Sequence, residues 1–116
     1  MSRRARYSAL AAGAAALALS LTAANVSAAD PDCVAEIRNG TFGVIYQQLA
    51  SGQCRETYPT LTRADYVDAR DFSNPATVTL YSGSGCSGTA VKTVTGTERF
   101  SPVDLRSFHV VRCPFT

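Results

Sequence analysis

Val78–Gly88 reads V-T-L-Y-S-G-S-G-C-S-G. Val78, Leu80 and Tyr81 carry the β-branched, apolar and aromatic bias of a strand. Gly83, Gly85 and Gly88 follow, at positions where a backbone can turn without a Cβ clash. A strand therefore runs into a glycine-rich turn. A weaker copy lies 43 residues earlier in Glu36–Gly43, E-I-R-N-G-T-F-G. It too has a strand end, then Asn39-Gly40, then Phe42 and Gly43. Working outward, Ile37 matches Leu80, Leu49 matches Val94, and Asp65-Tyr66-Val67-Asp68 matches Asp104-Leu105-Arg106-Ser107. The offset drifts from 43 to 39 residues, so one β unit is written twice in loosened form.

Between these anchors the strand signals are short. Cys33–Arg38 reads as a strand closed by Asn39-Gly40, a strong hairpin signal. Val44–Ala50 fits strand or helix by periodicity, and Val44, Ile45 and Tyr46 favour strand. Gln53–Tyr58 is a further short strand ended by Pro59. Thr62–Asp65 has the look of a helical opening, whereas Tyr66–Phe72 reads as strand. Ser73-Asn74-Pro75 marks the midpoint. Ala76–Tyr81, Thr89–Thr95 and Leu105–Arg112 supply the remaining strands, with a break at Gly96 and a bend at Phe100-Ser101-Pro102. The expected fold is all-β, two antiparallel sheets packed as a sandwich, with four strands per unit joined as Greek keys.

The amino terminus is of another kind. Arg3, Arg4 and Arg6 precede an Ala/Leu run from Ala9 to Leu21, and Val26-Ser27-Ala28 or Ser27-Ala28-Ala29 offers small residues before a cut. Residues 1–29 thus read as a secretory signal peptide; the run is short of the roughly 20 residues of a membrane span. The domain expected is residues 30–116, secreted and monomeric. Three of the eleven basic residues lie in the leader and all nine acidic residues lie at Asp30 or later, leaving eight against nine and a net charge of −1. That balance leaves no basic excess to argue for nucleic acid or an anionic membrane, so neither a nucleic-acid partner nor stable membrane insertion is expected.

Cys33, Cys54, Cys86 and Cys113 all fall in the exported part. Their spacings of 21, 32 and 27 residues lack the close pairs of zinc sites, so they read as two disulfides. Closing each repeat by itself favours Cys33–Cys54 with Cys86–Cys113; Cys33–Cys113 with Cys54–Cys86 stays open. Each bridge is worth about 3 kcal/mol, which matters to a small core.

The repeat resembles the βγ-crystallin superfamily, whose domains pair two Greek-key motifs, each opening aromatic-x4-aromatic-x-Gly and carrying a serine in its last strand. Tyr81-S-G-S-G-Cys86-S-Gly88 matches the second motif with Cys86 in place of an aromatic, and Ser107 falls at the serine. In the first motif, about 33–73, Arg38 replaces the first aromatic, Phe42 and Gly43 are adjacent, and Asp68 stands at the serine position; motif two spans about 76–113. The resemblance implies a hairpin folded back over its sheet, allowed by Gly43 or Gly88 and tied by Ser107. Secreted members with disulfides include bacterial metalloproteinase inhibitors and killer-toxin-like proteins.

The resemblance also raises calcium, held in the family by [Asn/Asp]-[Asn/Asp]-x-x-[Ser/Thr]-Ser. Here Asp65 and Asp104 each keep only the second acid, Ser107 survives, and Arg106 adds positive charge. Asp65, Asp104 and Ser107 supply too few of the six to eight oxygens calcium needs, so no cofactor is expected. Catalysis is not expected either. The one histidine, His109, lies inside a strand, no serine sits in G-x-S-x-G, and oxidised cysteines are not nucleophiles. A chain this small also leaves little room for a walled cleft between paired carboxylates. What remains is a non-enzymatic binding protein that presents a rigid loop, Ser82–Thr89 or Gln53–Arg63, to an extracellular protein, a peptidase first. An antimicrobial protein acting on cell envelopes and a calcium-stabilised envelope component are the other two readings.

Overall fold

In the computed structural model, residues 26–115 are described. The export signal expected over residues 1–29 therefore lies, except for its last residues, outside the described part. Alternating burial in short β-rich runs sets the architecture. Nine strands form: β1 Cys33–Asn39, β2 Phe42–Tyr46, β3 Cys54–Glu56, β4 Arg63–Asp71, β5 Asn74–Pro75, β6 Thr77–Tyr81, β7 Ala90–Thr95, β8 Thr97–Asp104 and β9 Ser107–Arg112. All pairings are antiparallel, in two sheets.

One sheet runs β2-β1-β4, with β8 and the two-residue β5 both on the far side of β4; the other runs β3-β9-β6-β7. Each sheet thus holds three strands of one sequence unit and the third strand of the other. The inward residues repeat as well. Ile37 pairs with Val67 and Ala35 with Ala69 in one sheet; Leu80 pairs with Phe108 and Val78 with Val110 in the other. These eight residues are all fully buried. Leu49, Leu61, Val94 and Leu105 close the core, and the Tyr46 ring meets Phe108 edge-on at 5.0 Å.

Several expectations change. The disulfides are Cys33–Cys113 and Cys54–Cys86, each with its Cα atoms 6.0 Å apart, and not Cys33–Cys54 with Cys86–Cys113. The cause is the exchanged strand: β3 carries Cys54 into the second sheet beside β9, away from Cys33. Arg63–Asp71 is strand throughout, so no helical turn opens at Thr62. β2 ends at Tyr46, and Leu49 and Ala50 are buried from a loop, not from a strand. Phe100-Ser101-Pro102 does not break the chain. β8 passes through it, and the slip in the β4–β8 ladder between Ala64 and Tyr66 absorbs the bend as a bulge. Pro102 is tolerated there because β8 pairs on one side only.

The last strands of the two units are offset by 41 residues, not 39. Arg38 pairs with Tyr66 and Tyr81 with Ser107, so Tyr66, and not Asp68, stands where Ser107 stands. Asp68 lies two residues further on, bonded to Thr97 Oγ1 and Arg70. Nor does Gly43 allow a folded hairpin. It is an ordinary β2 residue, and the turn between β1 and β2 is the two residues Gly40-Thr41, with Gly40 at φ +64°.

Candidate functional site

The β6–β7 connection, Ser82–Thr89, is long where the β1–β2 turn is tight. It is held at several points. Ser107, 0% exposed at the start of β9, accepts a hydrogen bond from Cys86 N (2.8 Å) and donates one to Gly83 O (2.6 Å). Cys86 is bound covalently to Cys54 on β3. Gly85 N donates to Glu56 Oε2, also on β3, at 2.7 Å. Within the loop, Gly83 N donates to Ser87 O, Ser87 Oγ to Ser84 O, and Thr89 N to Ser82 Oγ. Gly88 takes φ +77°, and a Cβ there would lie 2.9 Å from Ser82 Oγ, so this position requires glycine. Cys86 itself sits at φ 56°, a conformation costly for a residue with a side chain and fixed here by the cystine and by Ser107. Ser84, Gly85, Ser87, Gly88 and Thr89 nonetheless face solvent. A loop that is exposed at its tip and pinned along its backbone loses little entropy on binding.

The second candidate loop, Gln53–Arg63, runs alongside. Thr57 N and Tyr58 N both donate to Arg106 O, and Leu61 N donates to Thr57 O. The Tyr58–Pro59 peptide is cis. The Arg106 guanidinium stacks 4.2 Å from the centre of the half-exposed Tyr58 ring. Between the two loops lies a shallow recess of about 460 Å3, bordered by Tyr58, Thr62, Arg63, Ser82, Asp104 and Arg106. The two loops named from sequence therefore flank one recess.

The other sequence candidates separate. Asp65 receives Gly40 N at 3.2 Å and steadies the β1–β2 turn. Asp104 projects into solvent 3.7 Å from Arg63. Ser107 Oγ is used by the loop backbone. These three weak calcium candidates thus do separate jobs, and among the described residues no group of three or more His, Cys, Asp or Glu is arranged to hold a metal ion. Tyr81 ends β6 ahead of its turn and is partly covered beside Ser107, whereas Phe42 opens β2 after its turn and is half-exposed. His109 sits between Cys54 and Thr79 in the middle of its sheet. No family model, curated protein or solved structure matches the chain.

Sequence reasoning missed a second polar cluster. Asp30, Asp32 and Asp71 gather where the described ends of the chain meet, beside the buried Cys33–Cys113 cystine. The available signal was parity: in β4, Val67, Ala69 and Asp71 share the inward face, so an acid is directed into the core.

Proposed function

We propose that the chain is a secreted, non-enzymatic binding protein of βγ-crystallin-like, double Greek-key build, and that it presents Ser82–Thr89 to an extracellular protein, a peptidase first. The strand orders β2-β1-β4-β8 and β7-β6-β9-β3, each borrowing its neighbour's third strand, support the crystallin-like reading. Two disulfides favour an oxidising compartment outside the cell, and no helix among the described residues is long and apolar enough to cross a membrane.

The observation that carries the binding reading is the backbone of the loop. Three restraints on residues outside it, the Cys54 cystine, Ser107 and Glu56, hold a segment whose tip is solvent-exposed. Loops serving only as connections have no need of such bracing. A peptidase inhibitor does, because a slack loop would be bound weakly and cut as substrate. The recess beside Ser82, with Arg63, Arg106 and Asp104 on its rim, provides a polar contact next to the loop. Titration of the oxidised secreted protein against panels of metallo- and serine peptidases tests the reading. Inhibition at or below micromolar protein, weakened by substitutions at Ser84 and Ser87, supports it; no inhibition across the panel refutes it.

A further inference from the structure

Asp71 ends β4 opposite Cys33 and is fully buried. Its Oδ2 accepts a hydrogen bond from Phe115 N at 2.9 Å, while its Oδ1 has no partner. Asp30 is nine-tenths buried; its Oδ1 accepts from Asp32 N at 2.9 Å, and its Oδ2 likewise has no partner. The two carboxyl groups lie against each other, and Asp32 adds a third negative charge nearby. Burial first, then the Asp30 carboxyl, pushes Asp71 above the usual carboxylate range; the Phe115 N–H pulls the other way. The ion pairs of the described residues engage Glu36, Asp68, Glu98 and Asp104, and none reaches Asp30, Asp32 or Asp71. The two carboxyl groups are within hydrogen-bonding reach of each other, and their two otherwise unpartnered oxygens are satisfied by one shared proton or by one cation between them.

Next to them is a cavity of about 490 Å3, walled by Ala28, Ala29, Pro31, Phe72 and Phe115. Phe72 takes φ 57°, and its exposed ring meets Phe115 edge-on at 6.3 Å. An anionic floor under apolar and aromatic walls suits an ammonium group on a short alkyl stem: the charge meets the carboxylates and the carbons meet the rings.

We propose that this cavity is an ammonium site in which Asp30 and Asp71 together hold one alkylammonium group. The nearest source is the chain itself. A cut after Ala28 or Ala29 would leave the new α-amino group on Ala29 or Asp30, and Ala29 and Asp30 are both cavity-lining residues. Asp30 N is already fixed to Leu49 O at 2.9 Å, so the start of the processed chain would not wander from the acids. The second source is a lysine side chain or free amine from outside. The first source rests on the export reading, and that cut removes Ser27 and Ala28 from the cavity wall, leaving Pro31, Phe72 and Phe115 as the apolar walls that an outside amine would meet.

The experiment has three arms on the secreted, oxidised protein. N-terminal sequencing establishes the cut. Thermal unfolding near pH 6.5 then compares the protein with a free α-amino group and the same protein acetylated at that group. The free form should melt about 5 °C or more higher, and the gap should vanish in Asp71→Asn, with Asp30→Asn as the second variant if the first fails to fold. Finally, the acetylated protein is titrated with n-butylammonium chloride against sodium chloride at equal ionic strength. Stabilisation by the amine alone assigns the site to an outside ligand. A start at a residue other than 29 or 30 removes the internal source and leaves the amine titration to decide. No free-amine advantage and no butylammonium effect together overturn the site, and the two acids then share a proton instead.

Discussion

Replacing Ser107 by alanine should do far more than delete one hydroxyl. The side chain is 0% exposed and both of its hydrogen bonds go to the Ser82–Thr89 loop, at 2.8 Å from Cys86 N and 2.6 Å to Gly83 O. Alanine has no atom to replace either one. Each lost bond is worth about 1 kcal/mol net, and a donor left dry adds about 1 kcal/mol more, so a loss of about 3 kcal/mol is expected. In a domain this small that lowers the melting temperature by about 10–20 °C. The cystine to Cys54 still closes the loop, so the protein should fold and the damage should be local. Denaturant unfolding of oxidised wild type and Ser107→Ala measures the loss, and amide exchange at Cys86 reads the loop directly. Ser101→Ala, at an exposed β8 position, is the control and should stay within about 0.5 kcal/mol. A Ser107→Ala loss below about 0.5 kcal/mol, or a Cys86 amide that exchanges no faster than in wild type, would refute the account of how the loop is held.

Other outcomes follow from the same geometry. Mild reduction under native conditions should open Cys54–Cys86 before Cys33–Cys113, because Cys54 is exposed whereas Cys33 and Cys113 are 0% and 1% exposed; alkylation followed by mass spectrometry gives the order. Gly88→Ala should cost about 2 kcal/mol or more by denaturant unfolding, since its φ is +77° and the new Cβ meets Ser82 Oγ at 2.9 Å. Gly43→Ala should cost less, about 1 kcal/mol, because Gly43 is not at positive φ, although Arg38 Cγ at 2.9 Å must turn aside. In the α-acetylated protein, stability should fall as pH rises from about 4 toward neutrality. Asp71 is raised chiefly by burial, so across that window the folded state binds the proton that the unfolded state has released. Asp71→Asn should flatten this slope in pH-dependent melting curves.

Strand existence was legible because short runs rich in β-branched and apolar residues, such as Cys33–Asn39 with its alternate side chains buried, form strands whatever their partners are. Partner choice was not. Nothing local in C-R-E says that β3 leaves its own unit to pair with β9, and the cysteine pairing was misjudged for that reason alone. The bulge opposite β4, where Phe100, Ser101 and Pro102 of β8 face Asp65 alone, hid the register in the same way. Asp65 and Tyr66 lie between two buried residues, Ala64 and Val67, so alternation breaks there, and matching Asp65 to Asp104 brought Asp68 forward in place of Tyr66. At the loop, glycine spacing and Ser107 were readable from sequence, whereas Glu56 bonding to Gly85 came from 29 residues away and left no local trace. The acid cluster had only Asp71's parity to announce it, with Asp30 and Asp32 reading as a polar lead-in.

The exchange of β3 between the sheets places Cys54 against the Cys86 loop, and disulfide mapping tests it most directly. Arg38, Arg55, Arg70, Lys92 and Arg112 put each cysteine in its own tryptic peptide. Digestion of the unreduced protein, followed by mass spectrometry, should find the Cys54 peptide joined to that of Cys86 and the Cys33 peptide joined to that of Cys113. Cys33 joined to Cys54, with Cys86 joined to Cys113, would contradict the strand exchange and remove the covalent brace from the loop.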